Sequence, residues 1–213
     1  MANQKINFQC KNVEQSYYLD ILKDREINFA ACTGIAGSGK STVAAYYCGQ
    51  QLMQYPDKTL YLTRSVTPVR GEQLGYVKGN LEEKYSPWLA PITQHLQKYL
   101  SKPIKHYIDK KRIKFLPLAY IRGVSLDNCV IHLTEAQNIS VDMLEALMTR
   151  IDYRSKLIIE GDHKQSDNKS TRFKEFCEYF QENLESFDHI HLTKSVRNKD
   201  IQKICNLFEK FVD

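Results

Sequence analysis

Apolar positions along this chain fall in short runs rather than long alternations, and that pattern predicts most of the architecture. Runs at 27–32, 59–62, 113–115, 129–133, 156–160 and 189–192 are short, rich in β-branched and aliphatic residues, and bounded by polar or turn-forming positions. They predict strands. Their nearly continuous apolar character implies that both faces are covered, as in a parallel sheet. Between them, longer stretches of mixed periodicity predict helices over 42–55, 92–100, 141–149, 171–184 and 200–211. Strands separated by helices make βαβ units, so the expected fold is α/β, with a mostly parallel sheet and helices on both faces. The exception is the stretch 71–91, where Gly71, Gly75, Gly79, Pro87, Trp88 and Pro91 surround Glu82-Glu83-Lys84. It reads as a structured insertion, with 65–112 as its outer bounds, in a single domain of 213 residues.

The first predicted strand runs into Gly34-Ile35-Ala36-Gly37-Ser38-Gly39-Lys40-Ser41, and a helix-prone stretch starting at Thr42 follows. This is the G-x-x-x-x-G-K-[ST] spacing of a phosphate-binding P-loop in its strand–loop–helix context. Gly34 and Gly39 let the backbone curl so that successive N–H groups face a polyphosphate. Lys40 reaches the terminal phosphates, and the Ser41 hydroxyl can meet Mg²⁺. The helix start adds the positive end of its dipole. Residues 34–42 are therefore the candidate site for a nucleoside triphosphate, with ATP and Mg²⁺ as the expected cofactors.

Ligands of open α/β sheets sit at the carboxyl ends of the strands, so residues leaving the strands there are the next candidates. The 129–133 strand ends in Thr134-Glu135. Glu135 has the position of a carboxylate that polarises an attacking water, while an acid before it would orient the metal shell. Here that position is Thr134, which can bond a metal-bound water but carries no charge. Glu135 could alternatively serve only as a helix N-terminal acid. His132, within an apolar strand, reads as a packed histidine. After the 156–160 strand comes Gly161-Asp162-His163-Lys164-Gln165, where Gln165 has the donor to sense a γ-phosphate or is simply part of a turn. No third metal ligand accompanies Asp162 and His163. After the last strand, Arg197 can neutralise transition-state charge in cis or across a subunit interface, or can be an ordinary surface arginine.

The net charge of +5 permits a polyanionic partner without requiring one. Lys110-Lys111-Arg112, interleaved with Tyr99, Tyr107 and Phe115, has the basic and aromatic mixture that suits a single strand of nucleic acid, or is a solvated loop. The six cysteines show neither a CxxC pair nor zinc spacing, so they read as reduced thiols of a cytoplasmic protein. Residues 1–10 lack the apolar segment of a leader, and no run approaches membrane-spanning length.

Several segments in order resemble one family. They are Gly34–Ser41, Leu62-Thr63-Arg64, Leu81-Glu82-Glu83-Lys84, Pro117-Leu118-Ala119-Tyr120-Ile121-Arg122-Gly123, Glu135-Ala136-Gln137-Asn138, Gly161-Asp162 with Gln165 and Asp167, and Val196-Arg197. The chain resembles the PhoH-like ATPases, similar in their core to superfamily 1 helicase motors, over roughly residues 12–210. The resemblance implies a RecA-like P-loop core, a homo-oligomer such as a hexameric ring, and RNA or single-stranded nucleic acid as partner. It further implies that Gln15 reads the adenine edge and that Glu135 is the catalytic acid. Lys40 and Ser41 match the phosphate and Mg²⁺ positions, Gln165 the γ-phosphate sensor and Arg197 an arginine finger. Arg64 and Arg122 sit where basic residues face nucleic acid or a neighbouring subunit. The chain departs from the family pattern at Thr134, which stands for an Asp, at Ser65, which stands for a Pro, and at the polar Asn168-Lys169-Ser170. Besides an ATPase acting with nucleic acid, two other functions are compatible: a nucleotide-binding regulator with impaired hydrolysis, and a small-molecule kinase.

Overall fold

The computed structural model describes residues 8–65, 81–162 and 172–197, with residues 200, 203, 204 and 207 beyond them; side chains of 81–88 fall outside the description. Gln165, His163, Asp167, Asn168-Lys169-Ser170 and most of the expected 200–211 helix therefore lie outside the described residues, as do 66–80 of the expected insertion.

Six strands form one parallel sheet: β1 (Phe29–Gly34), β2 (Thr59–Arg64), β3 (Ile113–Phe115), β4 (Cys129–Thr134), β5 (Lys156–Gly161) and β6 (Phe187–Leu192). Their order is β3-β2-β4-β5-β1-β6. The P-loop strand β1 is thus interior, and β5 lies between it and β4. β4 and β5 are buried at every position, which is why they read as unbroken apolar runs.

One face is covered by α1 (Val13–Lys23), α2 (Lys40–Gln54) and α3 (Leu81–Gln97). Tyr18, Leu22, Val43, Leu52 and Leu96 pack there on Ala30, Cys32, Val130 and Ile158. The other face carries α5 (Val141–Met148) and α6 (Phe173–Asn183), with Leu144, Leu147, Phe173 and Phe176 on Ala31, Ile131, Leu133 and Ile159. Helices on both faces of a parallel sheet make this the RecA-like α/β P-loop fold.

Three helices differ from the sequence expectation. α1 has no counterpart in it; this helix starts at Asn12, whose side chain accepts from Gln15 N at 2.8 Å and caps the first turn. A short α4 (Ile104–Asp109) precedes β3. α3 begins eleven residues before the expected 92 and runs through Pro87 and Pro91. The turns carrying Leu89, Ile92 and Leu96 bury one stripe against the core, and that packing outweighs the missing proline donors. This part of the expected insertion is therefore a component of the core layer.

The carboxyl ends of the first two helices are closed by cations from the sheet. Lys156, entering β5, donates from Nζ to the carbonyls of Ile21 (3.1 Å), Leu22 (2.9 Å) and Asp24 (2.6 Å) at the end of α1. Arg112, entering β3, donates to Leu52 O (2.8 Å), Tyr55 O (2.5 Å) and Lys58 O (3.3 Å) at the end of α2. Carbonyls in the last turn of a helix have no helical partner of their own.

Candidate nucleotide site

The loop after β1 is shaped by glycines at positive φ. Gly34 (148°), Gly37 (76°) and Gly39 (94°) take the turns. At Gly34 a Cβ would lie 2.4 Å from Leu192 O, so only glycine lets the loop leave the sheet beside β6. Gly39 precedes Lys40, the first residue of α2, so the N–H groups of the first turn open toward the loop. Lys40 Nζ rests on the loop's own carbonyls, at 2.6 Å from Gly34 O and 3.3 Å from Ile35 O.

Flanking segments strap this loop in place. The Gln15 amide, 3% exposed, donates to Ser38 O at 2.8 Å and accepts from Lys11 N at 2.9 Å. Val196 N donates to Gly37 O at 2.9 Å. Arg197 follows, and a Cβ on Gly37 would lie 3.1 Å from Arg197 Cβ. Arg197 thus stands over the P-loop of its own chain.

At the carboxyl end of β4, Glu135 has a left-handed backbone (φ 57°, ψ 37°). A non-glycine residue there costs energy and is found preferentially at functional positions. Its carboxylate lies 3.5 Å from the Arg64 guanidinium at the end of β2, and it accepts from Gln137 Nε2 at 2.7 Å. Gln137 Oε1 in turn accepts from Asp162 N at 3.0 Å, just beyond β5. Three strand ends are thereby tied through one carboxylate, which stays 38% exposed.

A second carboxylate lies beneath the P-loop. Glu160 on β5 is 2% exposed, and its Oε2 accepts from Ser41 Oγ at 2.7 Å. Sequence reasoning missed it and Gln137; an acid inside the apolar run Lys156–Gly161 was the available signal. His132, expected to be merely packed, lies with Nε2 at 3.2 Å from Glu160 Oε2. Among the described residues no group of three or more His, Cys, Asp or Glu side chains could hold a metal by itself. The Ser41 hydroxyl and nearby carboxylate fit Mg²⁺, which prefers oxygen donors and takes the rest from phosphate and water.

The basic residues named from sequence do not form one surface. Arg64 belongs to the Glu135 cluster. Lys110, Lys111 and Arg112 precede β3, whose start pairs with the start of β2, so they sit at the end of the sheet opposite the P-loop. Lys110 and Lys111 are exposed, whereas Arg112 is committed to helix carbonyls and lies 5.9 Å from the Tyr107 ring. Arg122 lines a separate cleft with Ser125, Thr149 and Arg150.

Comparison with known proteins places this geometry. The family described as PhoH-like protein matches residues 7–209. The chain belongs to that family. A PhoH-like protein of Synechocystis is 30% identical over 207 residues, covering 95% of this chain and 62% of the relative. One from Bacillus subtilis is 30% identical over 210 residues, covering 96% and 65%. This PhoH-like chain thus spans under two thirds of the length of these curated relatives. Among solved structures, the large terminase from a thermophilic bacteriophage shares the fold, with a TM-score of 0.54 at 12% identity over 93% of this chain and 50% of the terminase. No helix among the described residues is long and apolar enough to cross a membrane.

Proposed function

We propose that this PhoH-like chain is a Mg²⁺-dependent ATPase that works with RNA or single-stranded nucleic acid as a homo-oligomer in the cytoplasm. The observation that carries the ATPase reading is Glu135. It is a partly exposed carboxylate on a strained backbone, held by Arg64 and Gln137 beside a P-loop. Such an acid can hold and polarise a water against a γ-phosphate. Lys40 would exchange its loop carbonyls for phosphate oxygens, and Arg197 would add charge in cis. Mg²⁺, held by Ser41 with the phosphates, would neutralise charge on the transferred group. Gln165 is the proposed γ-phosphate sensor, and Gln15 would read the base on releasing one of its present partners. Lys110 and Lys111 are the exposed candidates for phosphate contacts on nucleic acid.

A second reading is a nucleotide-binding regulator with weak hydrolysis. Thr134 favours it, because a hydroxyl stands where the family pattern has an acid. Steady-state ATP hydrolysis with and without single-stranded RNA, in wild type and Glu135→Gln, separates the two. Turnover that rises with RNA and falls about 10³-fold in Glu135→Gln supports the ATPase. Tight binding of ATP without turnover under either condition supports the regulator.

A further inference from the structure

Glu160 has no task in the ATPase scheme above, although it touches the hydroxyl expected to meet the cation. It lies on the sheet face covered by α1 and α2. Oε1 accepts from Tyr18 OH at 3.2 Å, and Oε2 accepts from Ser41 Oγ at 2.7 Å with His132 Nε2 at 3.2 Å. Both carboxylate oxygens are thus reached by hydroxyl donors, Tyr18 at Oε1 and Ser41 at Oε2.

Its position relative to Thr134 is informative. Leu133 and Ile159 are register partners on β4 and β5, so Thr134 and Glu160 are the next residues of adjacent strands and stand at one height. Alternation puts both on the same face as Val130 and Ile158. Moving an acid from β4 to β5 brings it one strand, about 4.8 Å, closer to β1 and the P-loop. The Thr134 hydroxyl is buried and has no hydrogen-bond partner among the described residues. A charge is thus missing on β4 and present on its neighbour, already bonded to Ser41.

We propose that Glu160 is the metal-orienting acid of this site, displaced by one strand from the position that Thr134 occupies. By accepting the Ser41 hydrogen it leaves the Ser41 oxygen lone pairs for Mg²⁺, and its charge complements the cation. It is a positioning residue that acts through Ser41, and the Tyr18 hydroxyl holds its other oxygen. The inference rests on the nucleotide-binding reading.

The test is nucleotide affinity, measured with a fluorescent ATP analogue in Mg²⁺ and in EDTA, for wild type, Glu160→Gln, Glu160→Asp and Thr134→Asp/Glu160→Gln. Glu160→Gln is expected to keep the EDTA affinity and lose about tenfold or more of the Mg²⁺ enhancement, the usual scale for a group orienting a metal ligand. The double variant, with its acid returned to β4, is expected to recover that enhancement. An undiminished Mg²⁺ enhancement in Glu160→Gln, or an equal loss of affinity in both buffers, overturns the proposal in favour of a packing role. If Glu160→Gln does not fold, Glu160→Asp decides. Its arm is too short for the 2.7 Å contact, so a full Mg²⁺ enhancement there overturns the proposal and a reduced one supports it. Wild type that binds nucleotide in neither buffer is a different failure, that of the ATPase reading itself.

Discussion

Lys40, Lys156 and Arg112 each hold two or more backbone carbonyls, and the two ends of the sheet use them differently. At the amino ends of the strands, Lys156 and Arg112 close the ends of α1 and α2. Carbonyls at a helix end lack a donor within the helix, so these contacts belong to the folded state. At the carboxyl ends, Lys40 holds carbonyls of a glycine loop, where a polyphosphate is a better partner for an ammonium than a neutral carbonyl. The contacts are chemically alike. What separates a brace from a ligand group is whether a stronger acceptor can reach it.

The largest test of that contrast is Lys40→Ala. Nucleotide affinity should fall roughly a hundredfold, about 2.7 kcal/mol, while the thermal midpoint stays within a few degrees. A large drop in the midpoint would make Lys40 a brace like the others. Lys156→Met should do the converse. Three carbonyls lose their donor, so urea unfolding should show a loss of about 2–3 kcal/mol, with nucleotide affinity per folded molecule unchanged. Retained stability would mean that water caps α1 equally well. The smallest effect is expected for the Lys110→Ala/Lys111→Ala pair, with stability within about 0.5 kcal/mol of wild type. If these lysines meet nucleic acid, the slope of log affinity against log salt for single-stranded RNA should flatten by about one to two. An unchanged slope returns them to a solvated loop.

What the sequence revealed follows the range of the interactions. The six strands were legible because each is a local apolar run, and each starts or ends within two residues of expectation. The P-loop was legible because its chemistry is contained in eight consecutive residues. α1 was hidden because its buried face includes Gln15 and Tyr18, polar positions that serve the loop and Glu160 and dilute the apolar stripe. Glu160 and Gln137 acquire their roles only from the strand order, which inserts β5 between β1 and β4; nothing in their local sequence encodes that neighbour. Arg112 shows the opposite error. In a run of three basic residues its guanidinium looks like its neighbours' side chains, yet it faces inward onto α2.

The straps around the P-loop have an entropic consequence. Glu14 receives both Thr193 N (2.9 Å) and Thr193 Oγ1 (2.6 Å), Gln15 holds Ser38, and Val196 holds Gly37. The glycine-rich segment, which should be among the floppiest in the chain, is therefore already confined between two neighbouring segments. A nucleotide arriving here meets amides whose disorder was removed when the domain folded. Backbone order parameters at residues 34–38 should accordingly be close to those of the sheet before any ligand is added, and rise only slightly once it is bound.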